Sequence, residues 1–477
     1  MEALLVFISL AWTCATGWFV GPVWKPFVGS AGALKKYSKK YGGQHIAFHE
    51  LSKKWKTQIL GMKLGGAYLV CVEGIENIKQ ILTHEEINQR PMNFFVKLRT
   101  LGTYKGITCA KWPLWVEQRT FVIRYLSNGI RNKAIDFKVR AEVDSLMVVI
   151  DETKEAQISK LLPFSIINIL WSLVASNQME SRLLTIMHER TKAFDLSGGI
   201  LAQYPWMRYI IPERSGYNLI KKFNREIKKN LLTTIDDHHE NWSEGNTDDF
   251  IYEFISEMKK QNKEETIFTD EQLLLVCLDL FVGGFTTTSD TLSYIFLLML
   301  RHQDVQKKAQ DVLDATFSKD QPIDYQDHDK VPYIDAVIKE AQRYCPVAPI
   351  LGPRGNTKTV YFNGYKIPPN STIFFNLYPT LMSKEIWGDP ETFRPERFLD
   401  AHKGQLISYP EFIPFGFGKR KCLGDTFASC IFLFTVEILR TFTILPVDND
   451  NLPTTAPLPG ITMSPQPYFA KFVRRHS

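Results

Sequence analysis

The 477-residue chain lacks internal repeats, low-complexity tracts and any glycine- or proline-rich linker, its 28 Gly and 25 Pro being scattered. That argues against solenoids and strings of small modules and leaves one large domain as the simplest organisation. Cysteine pairing is also missing: Cys14, Cys71, Cys109, Cys277, Cys345, Cys422 and Cys430 form an odd set without a CxxC pair. Neither a disulfide framework nor a zinc ribbon fits, and a reducing compartment is expected. The glycosylation sequons at Asn241 and Asn370 are accordingly read as unused. Charge of one sign is scarce too, with 57 Lys and Arg against 51 Asp and Glu for a net +6. So mild and dispersed a balance speaks against nucleic acid and for a basic face turned to lipid or to an acidic protein.

What the chain does have is apolar material, 44% of its residues, ample for a large core. Ala3 to Val20 carries no charge and is just long enough to span a bilayer. Glu2 stands where a signal peptide would be basic, while Lys25, Lys35, Lys36, Lys39 and Lys40 follow the run. An uncleaved anchor over 1–21 is expected, with the body, 22–477, held on the cytoplasmic side. A cleaved signal peptide would have to use Cys14-Ala-Thr-Gly17, a poor processing site.

The most informative stretch is Phe415-Gly-Phe-Gly-Lys-Arg-Lys-Cys-Leu-Gly424, followed by an apolar helical run. Gly416, Gly418 and Gly424 let a loop fold tightly under a flat partner. Cys422 then sits near a helix N-terminus beside Lys419, Arg420 and Lys421, surroundings that favour a thiolate and hence a metal ligand.

The loop resembles the haem-binding pattern of the cytochrome P450 family: Phe, two residues, Gly, one residue, Arg, one residue, Cys, one residue, Gly. Phe415, Gly418, Arg420, Cys422 and Gly424 match it. The resemblance implies that Cys422 is the axial thiolate of haem iron and that Arg420 meets a haem propionate.

A second landmark is a long helix from Thr269 to about His302, opened by a Thr269-Asp-Glu-Gln272 capping box and apolar almost all round. Asp279, Asp290 and the Thr286–Ser289 cluster argue against a membrane span and for a buried core helix. Gly283 and Gly284 leave room for a cofactor against the backbone. By resemblance to the family's central helix, Thr287 assists dioxygen activation. The position of the usual acid holds Thr286, so protons must arrive through another residue or a water chain.

A helix beginning at Val331-Pro332 carries Glu340 and Arg343, three apart, and Pro395-Glu-Arg-Phe398 follows before the Cys422 loop. In the family the matching residues, here Glu340, Arg343 and Arg397, form a buried structural network. Trp115 and Arg119, in a WxxxR segment, resemble further propionate contacts, as does Arg354. Substrate-facing positions implied by the resemblance are Phe94, Phe95, Phe285, Val347, Ile350 and Ile461. The resemblance further implies that Trp206, Tyr209 and the isoleucines beside them dip into the membrane. Strands are expected over 58–71, 359–375 and in a terminal hairpin region from 441 to 473.

The implied fold is mainly α, a cytochrome P450 fold with a large helical lobe and a small β-rich one behind a single anchor. The implied protein is an arthropod microsomal haem-thiolate monooxygenase with haem b, sited on the cytoplasmic face of the endoplasmic reticulum. Its electrons would come from NADPH through NADPH-cytochrome P450 reductase, with cytochrome b5 as a further partner, and its substrate would be a lipophilic small molecule. Loss of the acid at 286 motivates a rival, a haem-thiolate isomerase or dehydratase that needs no dioxygen. A second rival is a non-catalytic haem sensor or carrier.

Overall fold

A computed structural model describes residues 20–475 except 23, 25–28, 65–66, 132, 177–184, 188, 191–200, 202–203, 261–266, 426, 459 and 461. The expected anchor, apart from residues 20 and 21, therefore lies outside the described residues, as does Ile461.

Seven helices position the cavity described below: α1 (Phe94–Arg99), α2 (Leu114–Arg131), α3 (Ile158–Ala175), α4 (Tyr217–Glu240), α5 (Asp270–Arg301), α6 (Pro332–Tyr344) and α7 (Ala428–Thr441). At the centre runs α5. Twenty-one of its 32 residues are buried, which is why it is apolar on nearly every face. It packs along α3 and against α6 and α7. Both α3 and α5 are long and apolar enough to cross a membrane, yet each is mostly buried inside the fold.

Thr269 caps α5 by accepting the Gln272 N–H at 3.2 Å, with Asp270 and Glu271 in the first turn and Arg301 in the last. The expected capping box is only half formed. The Gln272 side chain pairs instead with the Gly106 backbone, donating to its carbonyl at 3.1 Å and accepting its N–H at 3.2 Å. Two turns on, Asp279 accepts the backbone N–H groups of Ile107 and Thr108, both at 2.8 Å. The loop ahead of α2 is thus stitched to the central helix. Gly106, at φ +85, has no room for a side chain against Asp279.

The strands form a smaller lobe. β1 (Ile59–Leu64), β2 (Ala67–Val72), β4 (Ile350–Gly355) and β7 (Thr372–Asn376) make a sheet in the order β1-β2-β7-β4, antiparallel except for β2 and β7. β3 (Glu155–Gln157), β8 (Phe442–Pro446) and β11 (Phe469–Arg474) make a second sheet, β3-β11-β8. Two small ribbons remain, β5 (Val360–Phe362) with β6 (Tyr365–Ile367), and β9 (Pro457–Leu458) with β10 (Ser464–Pro465). β3 and β4 fall outside the strand segments read from the sequence; each is completed by partners distant in the chain, and such pairing leaves no local signal.

Candidate functional site

Between α5 and the Cys422 loop lies a cavity of about 390 Å³. One wall is the loop itself, braced by Cys422 N–H donating to the Phe415 carbonyl at 2.8 Å and Lys421 N–H to that of Gly418 at 3.0 Å. Gly416 and Gly418 sit at φ +80 and +76, and at Gly418 a Cβ would come within 2.9 Å of the Leu82 carbonyl oxygen. Gly418 lets the turn lie close on that backbone and is not part of the cavity wall. Gly424 N–H donates to Cys422 Sγ at 3.2 Å, and a Cβ on Gly424 would stand 3.3 Å from the sulfur.

Cys422 opens onto the cavity. Protein surrounds that cavity on most sides, so burial pushes the thiol up, ahead of the opposing Gly424 N–H. This corrects the expectation that the loop alone favours the thiolate. The long helix begins only at Ala428, and Lys421 is neutralised by Asp425 at 2.5 Å. A metal cation held by the sulfur would supply what the loop does not, because a coordinated thiol gives up its proton.

A second wall gathers Arg90, Arg119, Arg354 and Arg420 beside Trp115. The Arg420 guanidinium stacks 4.0 Å from the Trp115 ring centroid and donates to the Ala110 carbonyl at 2.7 Å. Burial and the neighbouring Arg90 push Arg420 down to about 9. Arg354 is pushed far below its usual range by burial, then by Arg90, Arg420 and Arg119. Its Nε and Nη1 are buried without a partner. Four crowded cations and two orphaned donors fit a ligand that brings carboxylates, and haem brings two. Arg90 went unrecognised in the sequence, where no motif marks it; only its place between the Thr108 and Pro353 carbonyls, at 2.9 and 2.6 Å, reveals it.

The third wall is α5, through Asp279, Leu280, Gly283, Gly284, Thr287, Thr288 and Thr291. Of the two glycines, Gly283 faces open space, whereas a Cβ on Gly284 would come within 2.9 Å of the Leu170 side chain of α3. Gly284 chiefly lets two helices close together, and Gly283 leaves the room expected of both. Thr287 lines the cavity and donates its hydroxyl to the Gly283 carbonyl at 2.6 Å. Thr286 points off this stripe, its Oγ1 buried and without a partner.

Val347 lines the cavity together with Ala348 and Leu351. Four other expected pocket positions do not. Phe285 is 1% exposed and belongs to the central core. Ile350 alternates with Leu351 along β4 and faces the sheet core with Leu60 and Phe374. Phe94 and Phe95 pack instead with Leu201 and Ile220, Phe94 lying 6.2 Å from the Tyr217 ring.

Behind the loop, Glu340 binds Arg343 Nε at 2.7 Å and Nη2 at 2.8 Å, and Arg397 Nε at 3.0 Å. The remaining nitrogens of both arginines donate to Leu381, Pro390, Trp387 and Thr392 carbonyls and to Asp389. The Arg394 N–H completes the Glu340 carboxylate at 3.0 Å.

The sequence profile of the cytochrome P450 family matches residues 20–472. A Drosophila melanogaster protein named probable cytochrome P450 305a1 is 36% identical over 474 residues, covering 95% of this chain and 94% of its own length. Farnesoate epoxidase of Bombyx mori is 31% identical, covering 93% and 91%. Cytochrome P450 2J5 of Mus musculus is 28% identical, covering 94% and 89%. A profile match across nearly the whole chain, supported by insect relatives aligned from end to end, makes this chain a member of the cytochrome P450 family, the haem-thiolate monooxygenases.

Proposed function

We propose that this chain oxygenates a lipophilic small molecule at the endoplasmic reticulum membrane, on the cytoplasmic side, with electrons delivered from NADPH by a flavoprotein reductase. The observation that carries the reading is the cavity, whose one wall holds a cysteine sulfur, whose second holds four arginines with no ion pair among the described residues and whose third is a helix bared at Gly283. Haem held there would supply the redox chemistry for activating dioxygen. Cys422 would ligate it, and Arg354, Arg420, Arg119 and Arg90 would hold its carboxylates by charge-assisted hydrogen bonds. Thr287, with its hydroxyl on the cavity face, would accept or pass a proton there. Val347, Ala348 and Leu351 would exclude water and orient an apolar substrate.

The farnesoate epoxidase among the relatives makes isoprenoid acids and esters the first substrates to try. Exposed Trp206, Tyr209 and Ile210, at 53%, 75% and 66%, support contact with lipid. Lys419 is exposed on the loop side and would face the reductase, with cytochrome b5 as a second donor. Lys421 contributes less, being paired with Asp425.

The test is reconstitution in vesicles with reductase, screening terpenoids including farnesoate, then steroids, fatty acids and aromatic amines. Product that requires both NADPH and dioxygen is expected. Product formed without either would establish the isomerase or dehydratase reading instead.

A further inference from the structure

Splitting dioxygen so that one atom enters the product and the other leaves as water takes two electrons and two protons. The protons must reach a largely apolar, enclosed cavity, so a group near it has to hold them. This question rests on the oxygen-inserting reading given above. Within the interior of α5 two carboxyls are present, Asp279 and Asp290. Asp279 accepts two backbone N–H groups, an arrangement that suits a permanent acceptor. Asp290 is differently placed. Its one partner among the described residues is the Ser464 hydroxyl on β10, at 2.8 Å. A hydroxyl accepts as readily as it donates, so it serves a protonated carboxyl as well as a carboxylate.

Asp290 also lies four residues after Thr286 and three after Thr287, on adjoining faces of one helical turn. The Thr287 hydroxyl faces the cavity with lone pairs left to accept. The buried Thr286 Oγ1 has its whole bonding capacity unused. A carboxyl, an unengaged hydroxyl and a cavity hydroxyl thus succeed one another around the helix.

We propose that Asp290 stores and delivers the protons of this cavity, taking over from one turn further along α5 the task for which position 286 holds no acid. The Asp290 O–H bond breaks as its proton passes, by way of a bridging water, to the Thr287 hydroxyl, which releases its own proton towards the cavity. The carboxylate left behind takes up a proton relayed from solvent by water entering beside half-buried Ser464, so the relay carries one proton each time and runs twice per turnover. Burial raises the Asp290 carboxyl to about 7, against the Ser464 hydrogen bond, so both forms are populated near neutrality. The titratable groups nearby are the Tyr294 hydroxyl on α5 and, beyond it, the Cys345 thiol after α6, pushed up to about 12. Burial keeps both neutral. Because Asp290 acts through Thr287, it is a positioning residue.

The test compares the haem-loaded full chain, Asp290→Asn, and the double variant Asp290→Asn with Thr286→Asp. Product per NADPH, measured with the reductase across pH, should fall in the unaltered chain as pH rises through about 7, where the proton is lost. In Asp290→Asn the ratio should drop about tenfold or more and lose that pH dependence. The double variant should recover most of it. Infrared difference spectra should show a protonated carboxyl band titrating near neutrality that is missing from Asp290→Asn. An unchanged ratio and pH profile in Asp290→Asn, or a band that persists there, would overturn the proposal. So would a loss that Thr286→Asp leaves unrepaired while the thermal midpoint falls, since that marks a purely structural residue. Failure of the unaltered chain to make NADPH-dependent product would count against oxygen insertion itself, and the infrared band would still decide whether Asp290 holds the proton.

Discussion

Two groups of buried arginines, one around Glu340 and one in the cavity wall, are finished to different degrees. Arg343 and Arg397 share Glu340, and each of their guanidinium nitrogens has a partner. Arg354 and Arg420 are as deeply buried, at 5% and 7% exposure, but face Arg90 and Arg119, and no ion pair answers any of the four among the described residues. The first group is a completed part of the fold. The second is what the proposed haem site would complete: burial and like charge would be tolerated there because a ligand supplies the missing carboxylates.

The largest expected effect breaks the site that both groups serve. Cys422→Ala should abolish the thiolate-type spectrum of the reduced, carbon monoxide-bound protein; retention of that spectrum would mean the ligand lies elsewhere. Next, Glu340→Ala should cost roughly 3–5 kcal/mol in urea unfolding, because it strands buried Arg343 and leaves Arg397 only Asp389. Arg354→Met sharpens the contrast. It should leave the haem-free protein no less stable, yet speed haem transfer to an acceptor globin about 10- to 100-fold through loss of charge-assisted bonds. A stability loss as large as that of Glu340→Ala would erase the distinction between the groups.

Smaller effects separate the two glycines of α5. Gly284→Ala should destabilise the fold by about 1–3 kcal/mol by overpacking against Leu170. Gly283→Ala should gain up to about 1 kcal/mol in helix propensity while weakening haem or substrate binding by titration.

A remote pair serves as the control and should give the smallest effect. His238 Nε2 donates to the Asp249 carboxylate at 3.0 Å; burial opposes its charge, but the Asp249 bond prevails and raises its pKa above 6.5. A raised folded value means stability that is full below pH 6.5 and lost as pH rises through the folded pKa. His238→Gln should flatten that slope in thermal unfolding without touching the haem spectrum.

Much of the site was legible because its chemistry is local. The Cys422 loop needs glycines at positive φ, α5 needs its Thr269 cap, and α6 needs Pro332 in its first turn; each leaves its residues adjacent in the chain. Phe285 and Ile350 misled for a geometric reason. Apolar residues look alike whether they face a cavity or the core, and one step along a helix or strand exchanges the two. Phe94 and Phe95 sit near cavity residues in sequence, yet α1 turns them towards α4 and Leu201.

By itself, then, the amino-acid order determined the family, the cysteine proposed as ligand, the Glu340–Arg343 helix and the absence of an acid at 286. Only the tertiary structure decided which buried charges are satisfied and which await a ligand. It also brought Arg90 into the arginine wall, made Gly283 rather than Gly284 the open one, and set Asp290 beneath Ser464. The physical reason is that hydrogen-bond satisfaction and burial belong to groups that meet across hundreds of residues, as Asp290 and Ser464 do, and no short stretch of chain contains both partners.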